Sequence, residues 1–293
     1  MRVTVCGASG FLGSHVADAL SAKGHAVTVF DTRSSKWLSD DQRQVFGDLR
    51  DPAQVRLAVR GADAVINCAA VAHVSEARHD PRRTIEVNVI GHLTALEASL
   101  VEGAKHMIYT SSMYAYSRHG SFYSASKRAA EELTELFGER GLPFTICRLG
   151  SLYGERSDER NPNTIYRLVK QAIETGEMRY DGRGGDLREF VNVKDVAAIM
   201  ADLVKSPGAR NERLVITGHQ PMTILNLMEM IREIIGAPIK ITISDKDYEG
   251  HYQTTPYAYR PSDGLKVIPA RHVDLGEGIL EVLHEISSKI AGR

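Results

Sequence analysis

A short apolar strand, a glycine loop and a helix occupy the first 23 residues, and that order fixes how the fold begins. Val3 to Cys6 is the strand, Gly7-Ala8-Ser9-Gly10-Phe11-Leu12-Gly13 is the loop, and Phe11 to Lys23 is the helix. Leu12, Val16, Ala19 and Leu20 share one helical face, and Gly24 is the stop signal. Glycines permit a tight turn and close backbone approach, and a helix N-terminus offers unpaired amides to an anion. In this context the anion is the pyrophosphate of a dinucleotide, contacted by Gly7, Ser9, Gly10, Phe11, Leu12 and Gly13. An ordinary glycine turn is the alternative.

The same alternation continues. Strands are expected over Ala26–Phe30, Val45–Phe46, Ala64–Cys68, His106–Tyr109 and Phe144–Cys147. Between them, one long helix after Pro81 carries Ile85, Val89, Leu93, Leu96 and Leu100 on its buried side, and another runs from Tyr123 to about Gly138. This is an α/β pattern, a Rossmann-type doubly wound parallel sheet with right-handed crossovers. After Arg148 the rhythm changes. Residues 155–163 read as a polar loop, and a helix near 164–174, a strand near 178–180, a turn over 182–186 and a helix over 193–204 follow. Short strands, an amphipathic helix over Ile224–Ile235 and a terminal helix near 275–290 complete the chain. The expected division is a dinucleotide domain over 1–154 and about 182–205. A smaller, mixed α/β C-terminal substrate lobe takes about 155–181 and 206–274, and 275–293 forms the C-terminal helix.

Composition narrows the class. The 293 residues are 43% hydrophobic with a net charge of −1, enough for a full core and without the basic excess that nucleic acid or an anionic membrane attracts. No apolar run approaches a membrane span, and the N-terminus reads as a strand, not a signal peptide. Cys6, Cys68 and Cys147 lack metal or redox spacing and read as reduced core thiols; the eleven histidines show no ligand pattern. A cytoplasmic protein without a bound metal is expected.

Several polar residues then stand out. Asp31 ends the second strand, placed to bind the adenosine ribose diol and repel a 2′-phosphate, which favours NAD; Arg33 is the residue that could bind that phosphate instead. Asp48 and Leu49 follow the third strand and reach either the adenine edge or, for the aspartate, the N-cap of the helix at Pro52. Tyr123 and Lys127 lie four apart on one helix face, which puts an ammonium beneath a phenol. A nearby positive charge and a first-turn position both favour phenolate, so a lowered phenol pKa is expected, and the pair makes a proton shuttle for an alcohol–ketone couple.

Seven segments together carry a family resemblance: Gly7-x-x-Gly10-x-x-Gly13; Asn67-Cys68-Ala69-Ala70-Val71-Ala72-His73-Val74; Asn88-x-x-Gly91; Tyr109-Thr110-Ser111-Ser112; Arg148 to Gly154; Arg188 to Val196; and Arg260-Pro261-Ser262-Asp263. With Tyr123 and Lys127, the chain resembles an extended short-chain dehydrogenase/reductase of the NAD-dependent epimerase/dehydratase family, over nearly its whole length. The resemblance implies a nucleotide-sugar substrate, NAD as cofactor and Ser112, Tyr123 and Lys127 as catalytic residues. It implies that Ala69, Ala70, Asn88, Tyr123 and Lys127 lie along the cofactor. It implies that His73, Ser112, Ser151, Asn163, Thr164, Arg188, Arg260 and Asp263 face the substrate. Backbone bonding for Ser112, surface salt bridges for the arginines and a helix cap for Asn163 are the plainer readings. The family's helix pairing implies a homodimer through residues 82–101 and 123–138, with Leu133, Leu136 and Phe137 as an apolar stripe that could equally be core.

The chain also departs from that pattern. Only ten residues separate Ser112 from Tyr123, so the sugar pocket is either more open or filled by Tyr114 and Phe122. Ser151 stands where asparagine is usual, and Lys194 where an acid is common. Met113-Tyr114 follows Ser112 where related dehydratases carry Asp-Glu and decarboxylases glutamate. Elimination and decarboxylation are therefore disfavoured, and epimerisation is the expected reaction, with a dehydrogenase or reductase, or a non-catalytic dinucleotide sensor, as alternatives.

Overall fold

The computed structural model describes the chain except residues 118, 161, 247–249, 257–264, 268, 270–271 and 293. Its strands in chain order are β1 Arg2–Cys6, β2 Ala26–Asp31, β3 Gln42–Phe46, β4 Ala64–Asn67, β5 Met107–Ser112, β6 Phe144–Leu149, β7 Ser151–Tyr153, β8 Glu177–Tyr180, β9 Leu187–Asn192, β10 Glu212–Ile216, β11 Pro221–Thr223, β12 Lys240–Ile243 and β13 Leu265–Val267. The α-helices are α1 Phe11–Ala22, α2 Pro52–Val59, α3 Val74–His79, α4 Pro81–Ile85, α5 Gly91–Val101, α6 Ser121–Glu139, α7 Thr164–Thr175, α8 Val193–Leu203, α9 Ile224–Ile235 and α10 Leu275–Ala291.

Eight strands form one parallel sheet in the order β13-β10-β6-β5-β4-β1-β2-β3. Every residue of β4, β5 and β6 is buried, as expected of strands covered on both faces. On one face α1 meets α8, with Val16, Ala17 and Leu20 in the same core as Val196, Ala197 and Met200. On the other, Val55, Val59, Ala95, Leu96, Ala130 and Phe137 form a second core. The chain builds outward from β1 on one side and from β4 on the other. The crevice beyond the C-terminal ends of β1 and β4 is thus the topological switch point, where such sheets bind ligands. A third core, centred on Tyr153, Tyr166, Leu168, Leu227 and Ile231, belongs to the C-terminal lobe, and α10 joins it through Ile279, Val282 and Ile286. Two small sheets, β11-β9-β7 and β12-β8, lie alongside.

Three features differ from the sequence reading. β10 and β13 extend the large sheet, so part of 206–274 belongs to the dinucleotide domain; their short length hides that partnership from local patterning. The long helix after Pro81 is interrupted by a π-turn over Glu86–Ile90, which contains Asn88. Of the proposed stripe, Phe137 is buried and Leu133 packs on the same core, while Leu136 alone points outward. Among the described residues no helix is long and apolar enough to cross a membrane.

Candidate active site

The glycine loop is fitted tightly to its neighbours. Gly7 has φ +76°, and a Cβ there would lie 2.6 Å from Ala69 Cα and N. A Cβ at Gly13 would lie 2.2 Å from Gly7 O, closer than any side chain tolerates. The Gly10 amide donates to Gly7 O at 3.1 Å and the Ser14 amide to Gly10 O at 3.0 Å, which turns the chain straight into α1. Phe11 and Leu12 open that helix. Asp31 closes the far side. It accepts from the Ser9 amide at 3.0 Å and the Arg33 amide at 3.1 Å, while Ser9 Oγ donates to Arg33 O at 2.9 Å. The result is an anion cradle with a carboxylate at its rim.

Asp48 does not cap the helix at Pro52. Its carboxylate takes a forked bond from Arg50, with Nε at 3.0 Å and Nη2 at 2.7 Å, and that guanidinium holds it below the usual carboxylate range. The helix at Pro52 is instead capped by Asp51, which accepts from Ala53 and Gln54. Leu49 is buried against Gly91.

Beyond β4, a buried polar chain shapes the next segment. Asn67 Oδ1 accepts from the Ala69 amide at 3.0 Å, so Ala69 is held beside Gly7, and Ala70 follows it. The Asn88 side chain grips Val71, accepting from its amide at 2.7 Å and donating to its carbonyl at 3.0 Å, and also donates to Ser126 Oγ. Asn88 is thus spent on the protein itself and shapes the segment indirectly. Asn67 Nδ2 donates to His92 Nδ1 at 2.9 Å, and His92 Nε2 donates to Thr134 Oγ1 at 2.8 Å. Thr134 Oγ1 passes its own proton to Ala130 O, which fixes the neutral Nε2–H tautomer of His92. Sequence reading missed His92 and Thr134; two polar residues on otherwise apolar helix faces were the available signal.

Burial pushes His92 down to about 3 and His106 to about 4. Both lie below the unfolded value near 6.5, so the unfolded chain binds protons that the native state refuses. Their contribution to stability is full above pH 6.5 and is lost as pH falls toward 4 and 3, at about 1.4 kcal/mol per pH unit for each group. Calorimetric Tm values are expected to be level above pH 7 and to fall steeply below 6, with a shallower fall in His106→Asn. A Tm rising on acidification from 6.5 to 4.5 would contradict the assignment.

Ser112, Tyr123 and Lys127 meet at the C-terminal end of β5. Gly120 (φ +93°) leads into α6, placing Tyr123 in the first turn and Lys127 one turn later. The Ser112 hydroxyl acts on the Tyr123 phenol and draws its pKa down, against the larger effect of burial. Lys127 Nζ donates to Thr110 O at 2.7 Å and lies 5.0 Å from the Tyr109 ring centroid and 5.8 Å from that of Tyr123. The expected lowering of the phenol is not what the structure gives. Burial pushes Tyr123 up to about 12, with only the Ser112 hydroxyl acting downward. The ammonium is spent on a backbone carbonyl and sits too far off to overcome desolvation.

The short Ser112–Tyr123 connection is covered from the other lobe. Tyr114 packs edge-on against Tyr123 (5.7 Å), its hydroxyl bonds His251 Nδ1, and its ring meets Tyr252 at 4.7 Å. Segment 250–253 is tied down by backbone bonds from Gly120 N to Gly250 O and from Leu187 N to Gln253 O. Arg188 is buried with its guanidinium 4.5 Å over Tyr252, and the Ser151 hydroxyl draws the Tyr252 phenol pKa down against the larger effect of burial. Tyr114 therefore fills the gap, while Phe122 is 44% exposed and does not. His251 and Tyr252 have no motif around them, and sequence reading missed both. His73 lies half-buried at the start of α3 with its pKa lowered by burial. Asn163 caps α7 by accepting from Tyr166 N at 3.0 Å, and Thr164 is the first residue of that helix. Lys194 pairs with Glu155 and Glu281, at 2.9 Å each. Arg260 and Asp263 fall outside the described residues.

A parallel sheet with a glycine cradle at its switch point and a serine, tyrosine and lysine beside it defines a dinucleotide-dependent enzyme of the short-chain dehydrogenase type. Comparison gives the narrower group. Residues 3–217 match the model of the NAD dependent epimerase/dehydratase family, and the chain belongs to that family. Sterol demethylase protein B of Methylococcus capsulatus is 28% identical over 257 residues, covering 81% of this chain and 76% of that protein. The UDP-glucose 4-epimerase of Thermus thermophilus, solved with NAD, superposes with a TM-score of 0.82 at 25% identity, covering 98% of this chain and 99% of that one. The UDP-glucose 4-epimerase of Thermotoga maritima, solved with UDP-glucose, gives a TM-score of 0.86 at 24% identity over 99% and 100%.

Proposed function

We propose that this enzyme epimerises a nucleotide-activated sugar by transient oxidation of one ring carbon. The observation that carries the reading is the meeting of Ser112, Tyr123 and Lys127 at the end of β5, with Lys127 Nζ 5.8 Å from the Tyr123 ring centroid and with Met113 and Tyr114, not carboxylates, after Ser112. NAD fits the cradle, because the missing side chains at Gly7 and Gly13 let Ala69 and the Gly7–Ala8 backbone close around the turn that opens α1, and Asp31 stands at the rim. When bound, it supplies an acceptor and later a donor of hydride, and a positive charge that favours phenolate. Tyr123 takes the hydroxyl proton of the sugar and returns it, Ser112 donates to the oxygen that becomes the ketone, and Lys127 holds the ribose below. Arg188 binds the diphosphate, exchanging its place over Tyr252 for a forked phosphate contact. Incubation with UDP-, dTDP- and GDP-sugars tests this: isomers of equal mass without lasting NADH absorbance are expected. A product lighter by one water would refute it.

A second reading, oxidation or reduction of an apolar alcohol or ketone, draws on one observation, the Methylococcus relative named a sterol demethylase protein. Stoichiometric NADH from a sterol would establish it in place of the first.

Two further outcomes follow from the cradle and the surface. Asp31 should make NAD bind at least about tenfold more tightly than NADP, a difference near 1.4 kcal/mol. Calorimetric titration showing tighter NADP would instead make Arg33 a phosphate ligand. A homodimer is expected through the 81–101 stretch and α6, which expose Ile85, Ile90, Val101 and Leu136 at 38%, 48%, 65% and 48%. Light scattering at micromolar concentration should give twice the 32.3 kDa chain mass. A monomer would contradict this.

A further inference from the structure

A second buried charge stands one helical turn beyond Lys127. Glu131 follows it by four residues on α6, so the two side chains leave the helix on the same face, and both are buried. The carboxylate is pinned from two sides. Arg148 donates to it through Nε at 2.9 and 3.1 Å and through Nη2 at 2.7 Å, and Ser111 Oγ donates to Oε1. Arg148 in turn donates to the Tyr116 hydroxyl and stacks 4.3 Å from that ring. A buried ion pair is weak evidence for stability, since desolvation offsets most of its attraction. Its placement beside the candidate lysine gives it another use.

The groups around Lys127 come from every neighbouring element. β5 supplies Thr110 O and the Tyr109 ring, and α5 supplies the neutral His92. The residue after β4 supplies the Cys68 thiol, which burial pushes up to about 12 and so keeps protonated. α6 supplies Tyr123 and Glu131, and β6 supplies Arg148, bonded to that carboxylate. Of these groups, only Glu131 is a carboxylate, and it is ion-paired with Arg148.

We propose that Glu131 is a positioning residue that keeps Lys127 in its ammonium form at neutral pH, with Ser111 and Arg148 fixing the carboxylate for that task. Burial pushes Lys127 down to about 8; the Cys68 sulfur and then Glu131 act in the opposite direction, and Cys68, held protonated by burial, carries no charge with which to do so at neutral pH. Without the carboxylate the amine would shed its proton near neutrality. It would still donate to Thr110 O, but no charge would remain beneath Tyr123. For its effect on turnover the inference rests on the Ser112–Tyr123–Lys127 reading above; for the ionisation itself it does not.

The test is direct titration of Lys127 by its 13Cε resonance in lysine-labelled protein from pH 6 to 10.5, assigned by its loss in Lys127→Arg. In Glu131→Gln the midpoint should fall by on the order of one pH unit. In Glu131→Asp, which restores the charge, it should return most of the way. Glu131→Gln leaves Arg148 buried without a counter-charge and is the variant at risk of misfolding. The double variant Glu131→Gln/Arg148→Gln removes both charges and should show a fall in the same direction, smaller because loss of the guanidinium itself favours the ammonium. The alkaline limb of kcat against pH should move with the midpoint. An unchanged midpoint in either folded variant overturns the proposal and leaves Glu131 a structural residue. Should the parent turn over no nucleotide sugar, the proposed function fails alone, because the titration still reads the effect of Glu131.

Discussion

Tyr123→Phe is expected to lose about 10²- to 10⁴-fold in turnover, the usual contribution of a positioned acid–base group, while binding NAD as the parent does. The substitution removes one hydroxyl from a ring packed edge-on against Tyr114, so the hole is small and the ring stays in place. Stability should change by only about 1 kcal/mol, the order of one lost hydroxyl hydrogen bond. With its pKa near 12 in the free protein, the phenol holds its proton at neutral pH. On the proposed mechanism the bound cofactor would supply a positive charge that favours phenolate, so proton transfer is expected from the loaded site. Comparing kcat and NAD affinity of the two proteins checks it, and parental turnover in Tyr123→Phe would remove Tyr123 from the mechanism.

Gly13→Ala should abolish useful cofactor binding. The new methyl would lie 2.2 Å from Gly7 O and 2.7 Å from Ala8 Cα, both backbone atoms that cannot swing aside. Either α1 moves off the sheet or the Gly7–Gly10 turn opens. Overpacking of this kind costs about 1–3 kcal/mol, and because the displaced atoms are the anion cradle itself, NAD affinity should fall about 100-fold at the upper end of that range. Gly208→Ala is the control, since a Cβ there meets nothing within 4 Å. Calorimetric titration of NAD into both should show loss in the first and parental affinity in the second.

Much of the fold is legible in the residues alone. A glycine loop between strand and helix leaves little choice of fold, and the repeated strand–helix period marks a parallel sheet that the eight strands bear out. Ser112, Tyr123 and Lys127 are legible because their spacing encodes geometry, a strand end and one turn of helix. What stays hidden is long-range. Tyr252 and His251 sit more than 125 residues after Tyr123, in a segment without periodicity, and only tertiary packing brings them over Tyr114. A pairwise charge argument misreads the phenol pKa because it ignores burial. Leu133 and Phe137 share a helical period with Leu136, and periodicity cannot tell which neighbours bury them. Glu131 escapes notice because a glutamate on a polar helix reads as solvated until Arg148 is seen beneath it.

The most direct measurement follows deuterium at the sugar carbon whose configuration changes. A nucleotide sugar labelled there is incubated with the NAD-loaded enzyme in ordinary water, and the isomer is analysed by mass and by NMR. If Ser112, Tyr123 and Lys127 serve a reversible oxidation of that carbon, the deuterium leaves to the cofactor and returns to the same carbon, so the isomer keeps the full label. Loss of the label to solvent, or a product short by one water, would contradict the account.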